Sequence, residues 1–193
     1  IAAPSWVPSA LVTGTNVAMS GSLLWVYNAD TGNARAIDLT TPSAPVISDP
    51  AELGPYAYVG DVAVTGDLLL LGMAGGELVV AQDEASGAPS VTILDLTKLT
   101  GPSGILSLDV KGSHVLVGLS SGHCLDVDLS VPNAPTPTWI ASGANRPCDA
   151  RWDGADLILG PYTQTDLDNG YDSFQLFPLS ERVWLPSVEA FQP

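Results

Sequence analysis

The chain has 193 residues, 46% of them hydrophobic and 14% charged, and 21 acidic side chains against six Lys and Arg give a formal net charge of -15. That balance excludes nucleic acid, whose phosphates need basic surface, and it disfavours anionic membrane surfaces. No apolar run approaches the roughly 20 residues that a membrane helix needs, and the length suits one domain of ordinary core size.

Residues 1–14, "IAAPSWVPSALVTG", open on Ala3-Pro4 and Trp6. They read as the outer strand of a preceding repeat unit. With neither an initiating Met nor a basic-then-apolar leader, the chain reads as a processed product.

Four units follow, predicted at 15–53, 58–100, 106–145 and 149–191. Each is marked by a glycine after a short apolar strand: Gly21, Gly66, Gly112 and Gly154, separated by 45, 46 and 42 residues. An aspartate ends a later strand at Asp38, Asp83 and Asp128. Ala44-Pro45, Ala88-Pro89 and Ala134-Pro135 come next. Every unit reads as four strands of four to eight residues, rich in Val, Leu and Ile and bounded by Gly, Pro, Asn and Ser. In the third they are "LSLDVKG", "HVLVGLS", "HCLDVDLS" and "TPTWIAS". Helical spacing is never sustained over ten residues, and the chain holds 19 Gly and 16 Pro. A four-stranded unit repeating every 40–45 residues is the signature of a β-propeller blade. The predicted fold class is therefore all-β: a β-propeller region of four consecutive four-stranded antiparallel blades, part of a larger propeller. The opening strand has no blade of its own here, so the missing blades would come from an upstream fragment or a second copy.

The stretches "VAVTGDLLLLGMAGGELVVAQD" and "LDVKGSHVLVGLSSGHCLDVDLSVPNAP" resemble the LVIVD-repeat β-propellers. The resemblance covers residues 16–142, with a weaker echo at "ARWDGADLILG". It implies a secreted or surface-attached microbial protein, placed extracellularly, at the cell surface or in the periplasm. It supplies no catalytic residues.

Between the elements lie the candidate functional residues. The turn "NADTGN" carries Asp30, which serves either the hairpin or a cation. "DPAELGPYAYVG", Asp49 to Gly60, is read as a long crossover whose Tyr56 and Tyr58 pack on the rim or line a binding face. "LLLL", Leu68 to Leu71, is a strand covered on both faces. "TKLTGPSG", Thr97 to Gly104, leads to the third unit. There a turn centred on Ser120 and Ser121 would set His123 near Gly118 and His114 near Val127, too far apart for a shared metal. The expanded turn "GPYTQTDLDNGYD" carries Tyr162, Asp166, Asp168 and Asp172. Its spacing fails the EF-hand pattern, because Gly170 falls one place early. No cofactor is expected: Asn169-Gly170 is a hairpin turn on its own, and calcium is the single candidate that three acids within seven residues leave open.

Hairpin turns and crossovers of such units emerge at a common end. Asp30, Tyr56, Tyr58, Tyr162, Asp166, Asp168 and Asp172 would gather there as a binding surface for a protein partner. Cys124 and Cys148 would lie at that end too. They are either two buried thiols or, as the geometry favours, a disulfide stabilising the fold by about 3 kcal/mol. No G-x-S-x-G, H-E-x-x-H, Walker loop or C-x-x-C occurs. Asp126 and Asp128 share a strand face as glycosidase carboxylates would, but the repetition of Asp128 points to a blade role. The expected function is a non-catalytic binding or structural module. The alternative is a propeller enzyme whose site is completed by further blades.

Overall fold

The computed structural model describes residues 15–28, 31–53, 59–84, 87–142, 148–153, 156–161 and 175–177. The described chain is all-β apart from one helical turn, and its antiparallel sheets follow one another in sequence. In the first sheet, β1 (Thr15–Ser20), β2 (Leu23–Asn28) and β3 (Asn33–Asp38) pair in order. Two short strands, β4 (Val46–Ile47) and β5 (Ala51–Glu52), both pair with β3. The second sheet is β6 (Val59–Thr65), β7 (Leu68–Met73), β8 (Glu77–Gln82) and β9 (Ser90–Asp95). The third, after the single turn α1 (Thr97–Thr100), is β10 (Ile105–Lys111), β11 (His114–Leu119), β12 (His123–Asp128) and β13 (Thr136–Ser142). The fourth shows β14 (Cys148–Asp153), β15 (Asp156–Pro161) and β16 (Gln175–Phe177).

Four-stranded units are met in the second and third sheets. The first differs: residues Ala51 and Glu52, expected within a crossover, hydrogen-bond to β3 and complete its outer edge. The opening strand at 1–14 and the fourth unit's outer strand lie outside the described residues.

The sheets hold together because successive sheets share apolar faces. Trp25, Tyr27, Ala34 and Ala36 of the first sheet pack against Leu69, Leu71, Met73, Val79 and Ala81 of the second. The opposite face of the second sheet, with Leu68, Leu70, Leu78 and Val80, packs on Leu108, Val115, Val117, Leu125 and Val127 of the third. The whole of β7 is therefore buried, as a strand covered on both faces must be. Each such side chain contributes about 1.5–3 kcal/mol relative to exposure. At Gly72 the two sheets come so close that a Cβ would collide with the Ile105 side chain.

The first strands of successive sheets are joined by side chains at one repeat position. Asp61 Oδ2 accepts the backbone N–H of Leu108 at 2.8 Å, and Ser107 Oγ accepts that of Ala150 at 3.0 Å. Asp61 and Ser107 each stand five residues before a unit glycine, just after a β-bulge. The bulge turns the polar side chain toward the next sheet.

The aspartate series needs one correction. Asp38 and Asp128 occupy the same register, opposite Leu23 and His114, and each accepts the N–H of the residue two places on at 2.8 Å. In the second sheet that register position belongs to Gln82, opposite Leu68, and Asp83 lies one residue past the strand. The spacing matched because the hairpin of the first sheet is one residue longer.

Candidate functional site

At one end of the second and third sheets, the crossover 97–104 meets the hairpin turns 74–76 and 120–122. Ser103 sits on the crossover, 6% exposed. Its Oγ donates to Ser121 Oγ at 2.9 Å and accepts the Ser121 N–H at 2.9 Å. Ser120 Oγ lies 3.2 Å from Ser103 Oγ and accepts the Gly104 N–H at 2.9 Å. Ser121 Oγ lies 2.8 Å from His123 Nδ1, and the His123 ring meets Trp139 edge-on with centroids 4.8 Å apart.

Ser103 gives its hydroxyl proton to Ser121, so in its contact with Ser120 it is Ser120 that donates. The bonds from the Gly104 N–H through Ser120 and Ser103 to Ser121 thus point one way, and bonds so aligned reinforce one another. Between Ser121 Oγ and His123 Nδ1 either partner can donate, because the hydroxyl oxygen accepts two bonds. The result is a preorganised polar ridge in which two backbone segments 18 residues apart are locked together.

The hairpin that carries it has a three-residue loop, Ser120 to Gly122, with Gly122 at φ 85°. A left-handed residue there is what such a loop requires, and glycine adopts it without a Cβ penalty. The loop shifts the ladder by one residue from expectation. Cys124 pairs with Gly118, and Asp128 pairs with His114. The histidines still stand at opposite ends of the hairpin, so they share no metal. Among the described residues no group of three metal-ligating side chains occurs.

His114 has a separate role. Its Nδ1 lies 3.0 Å from Oδ1 of Asp126, whose side chain is nearly buried. Asp128 is held below the ordinary carboxylate range, first by the Ser130 backbone N–H, then by the Ser130 side chain, with a smaller contribution from His114. Asp126 and Asp128 share a face, but each has a structural partner, which is not the arrangement of a glycosidase pair.

A serine hydroxyl within hydrogen-bond reach of an imidazole is half of an acyl-transfer dyad. The other half is a group that orients the histidine and donors for an oxyanion. Here the imidazole faces the edge of Trp139, and among the described residues no carboxylate is bonded to it. The arrangement suits recognition: fixed hydroxyls beside an aromatic ring.

Asp30, Tyr56, Tyr58, Tyr162, Asp166, Asp168 and Asp172 all lie outside the described residues. The backbone beside two of those segments is described. Asn28 Oδ1 accepts the Thr31 N–H at 2.9 Å, and the Leu53 N–H donates to the Gly32 carbonyl at 2.6 Å. Gly32, two residues after Asp30, is thus bonded to Leu53, three residues before Tyr56. Cys124 is buried in β12 and Cys148 opens β14.

The serine chain was not anticipated from sequence. Ser103 and Ser121 meet only through the fold, and the one local signal was Pro102-Ser103-Gly104 ahead of a strand.

The chain matches no family profile and no curated protein. Among solved structures it is similar to the computationally designed Ika4 protein, with a TM-score of 0.50 and 13% sequence identity, covering 84% of this chain and 88% of that one. At that identity the likeness concerns the fold alone. No helix among the described residues is long and apolar enough to cross a membrane.

Proposed function

We propose that the chain is a stretch of β-propeller that acts as a protein-recognition module through the end where its turns and crossovers meet. The observation that carries this reading is the hydrogen-bonded chain from Gly104 to His123, which welds a crossover to a hairpin turn beside Trp139. Rigid hydroxyls and an aromatic edge recognise polar protein surfaces with little ordering cost. The predicted acids and tyrosines of the neighbouring turns would extend that surface. The sequential stacking of four-stranded sheets supports the propeller, and the LVIVD resemblance supports export. The missing blades would be supplied by an upstream fragment or a second copy.

The test is a displayed-peptide selection on the purified chain. Peptides that bind should lose at least tenfold in affinity for Ser121→Ala and for His123→Ala. Binders indifferent to both substitutions would overturn the reading. The 2.8 Å Ser121–His123 contact also motivates the enzyme alternative. Activated-ester hydrolysis that vanishes in Ser121→Ala would favour it.

A further inference from the structure

The ridge holds three serine hydroxyls, and two of their protons are committed inside it. Ser120 gives its proton to Ser103, and Ser103 gives its own to Ser121. Ser103 Oγ also accepts the Ser121 N–H at 2.9 Å, so one bond given and two accepted exhaust its capacity. Ser103 is also buried, out of a ligand's reach. Ser121 differs. Its oxygen accepts from Ser103, retains a proton and a second lone pair, and belongs to a residue that is only half-buried.

His123 Nδ1, 2.8 Å away, takes one of those two. With Nδ1 bare, it accepts the Ser121 proton, and a lone pair is left for a ligand. With a proton on Nδ1, it donates to the lone pair, and the Ser121 O–H is left for a ligand. Which imidazole nitrogen carries the proton therefore sets what a ligand meets at Ser121. The ring itself need not move between the two settings: it stays edge-on to Trp139, centroids 4.8 Å apart, while the proton changes nitrogen.

We infer that the group recognised at Ser121 is an uncharged hydrogen-bond acceptor, a backbone carbonyl of a peptide partner, and that His123 is a positioning residue that donates from Nδ1 when that carbonyl is bound. This rests on the recognition reading above and specifies its chemistry. The direction of the ridge carries it. Every bond from the Gly104 N–H onward points toward Ser121, and a hydroxyl whose oxygen accepts such bonds gives its own proton more strongly. A carbonyl continues that series, whereas a ligand donor would oppose it. A carboxylate would also meet the repulsion of a chain with a net charge of -15.

The probe is a selected peptide whose affinity depends on Ser121, together with analogues in which each backbone amide in turn is an ester, a weaker acceptor. One analogue should bind wild type about fivefold more weakly than its parent and bind Ser121→Ala no differently from it. In alkaline buffer the ¹⁵N resonances of His123 should show the proton on Nδ1 once the peptide saturates the site. His123→Asn can still donate to Ser121, whereas the isosteric His123→Asp can only accept. The Asn variant should bind within about threefold of wild type and the Asp variant at least about tenfold more weakly. A bound state with the proton on Nε2, an ester series with no sensitive position, or equal affinities for the Asn and Asp variants would overturn the inference and leave the recognition reading standing. A selection that yields no Ser121-dependent peptide would remove both.

Discussion

Asp61 Oδ2 and the backbone N–H of Leu108 are joined across 47 residues of sequence at 2.8 Å, and Leu108 is buried. Removing the carboxylate leaves that N–H without an acceptor, which costs about 1–3 kcal/mol. Asp61→Ala should therefore lower the urea midpoint, and Ser107→Ala should do so by a similar mechanism at Ala150. The two joints lie at successive sheets, so the double variant should lose nearly the sum. A loss under ~0.5 kcal/mol for Asp61→Ala would show that the bond is incidental.

Trp25 is fully buried between the first and second sheets, and its Nε1 has no acceptor among the described residues. An orphaned buried donor carries a desolvation cost. Trp25→Phe discards the donor and keeps most of the ring, so stability should change by less than about 1.5 kcal/mol. Trp25→Ala should cost about 3–5 kcal/mol. Thermal melts of the two variants decide this, and equal losses would place the importance of Trp25 in its N–H.

Asp128 lies below its ordinary value of 3.8 because Ser130 donates to its charged form. The sign follows from linkage. A carboxyl depressed in the folded state adds stability above its unfolded value, and that contribution fades as pH falls through the folded value. Asp128→Asn should thus be less stable than wild type near pH 6, with the gap closing below pH ~4. A gap constant down to pH ~2 would contradict the proposed origin.

Cys124 and Cys148 are expected to be joined in the mature protein: Cys124 lies in β12 of the third sheet, and Cys148 opens the first strand of the next sheet. Mass spectrometry of unreduced, alkylated protein should show neither thiol modified. Two alkylated cysteines would remove the disulfide and weaken the inference of export.

Asp166, Asp168 and Asp172 together are the calcium candidate. If that turn holds the ion, calcium raises the melting temperature of wild type and leaves the triple Asn variant unmoved; the absence of a shift in both proteins removes the candidate. A calcium response shared by both proteins would place the ion elsewhere.

The β-strand framework was legible because its signals are local. Gly21, Gly66 and Gly112 fall in left-handed turns at φ 58°, 53° and 62°, where glycine is favoured. They therefore punctuate the sequence at the true unit spacing. Register was legible to within one residue. The Asp83 and His123 placements slipped because hairpin turns of two, three and four residues look alike until the left-handed residue is known. The serine chain was not legible at all. Ser103 contacts Ser121 only after a crossover brings two sheets together, and nothing in a serine's neighbours encodes that meeting.

The third and fourth sheets meet along a ladder from consecutive residues of β14: the Ala150 N–H donates to Ser107, the Arg151 guanidinium to the Leu108 carbonyl, and the Trp152 N–H to Asp109, with Lys111 over the Trp152 ring. Three neighbouring residues bonded to three neighbouring partners act as one unit, so loss of any one loosens the other two. The amides of Ala150 and Trp152 should therefore be protected together against exchange and lose that protection together, as a zip does when one tooth is drawn.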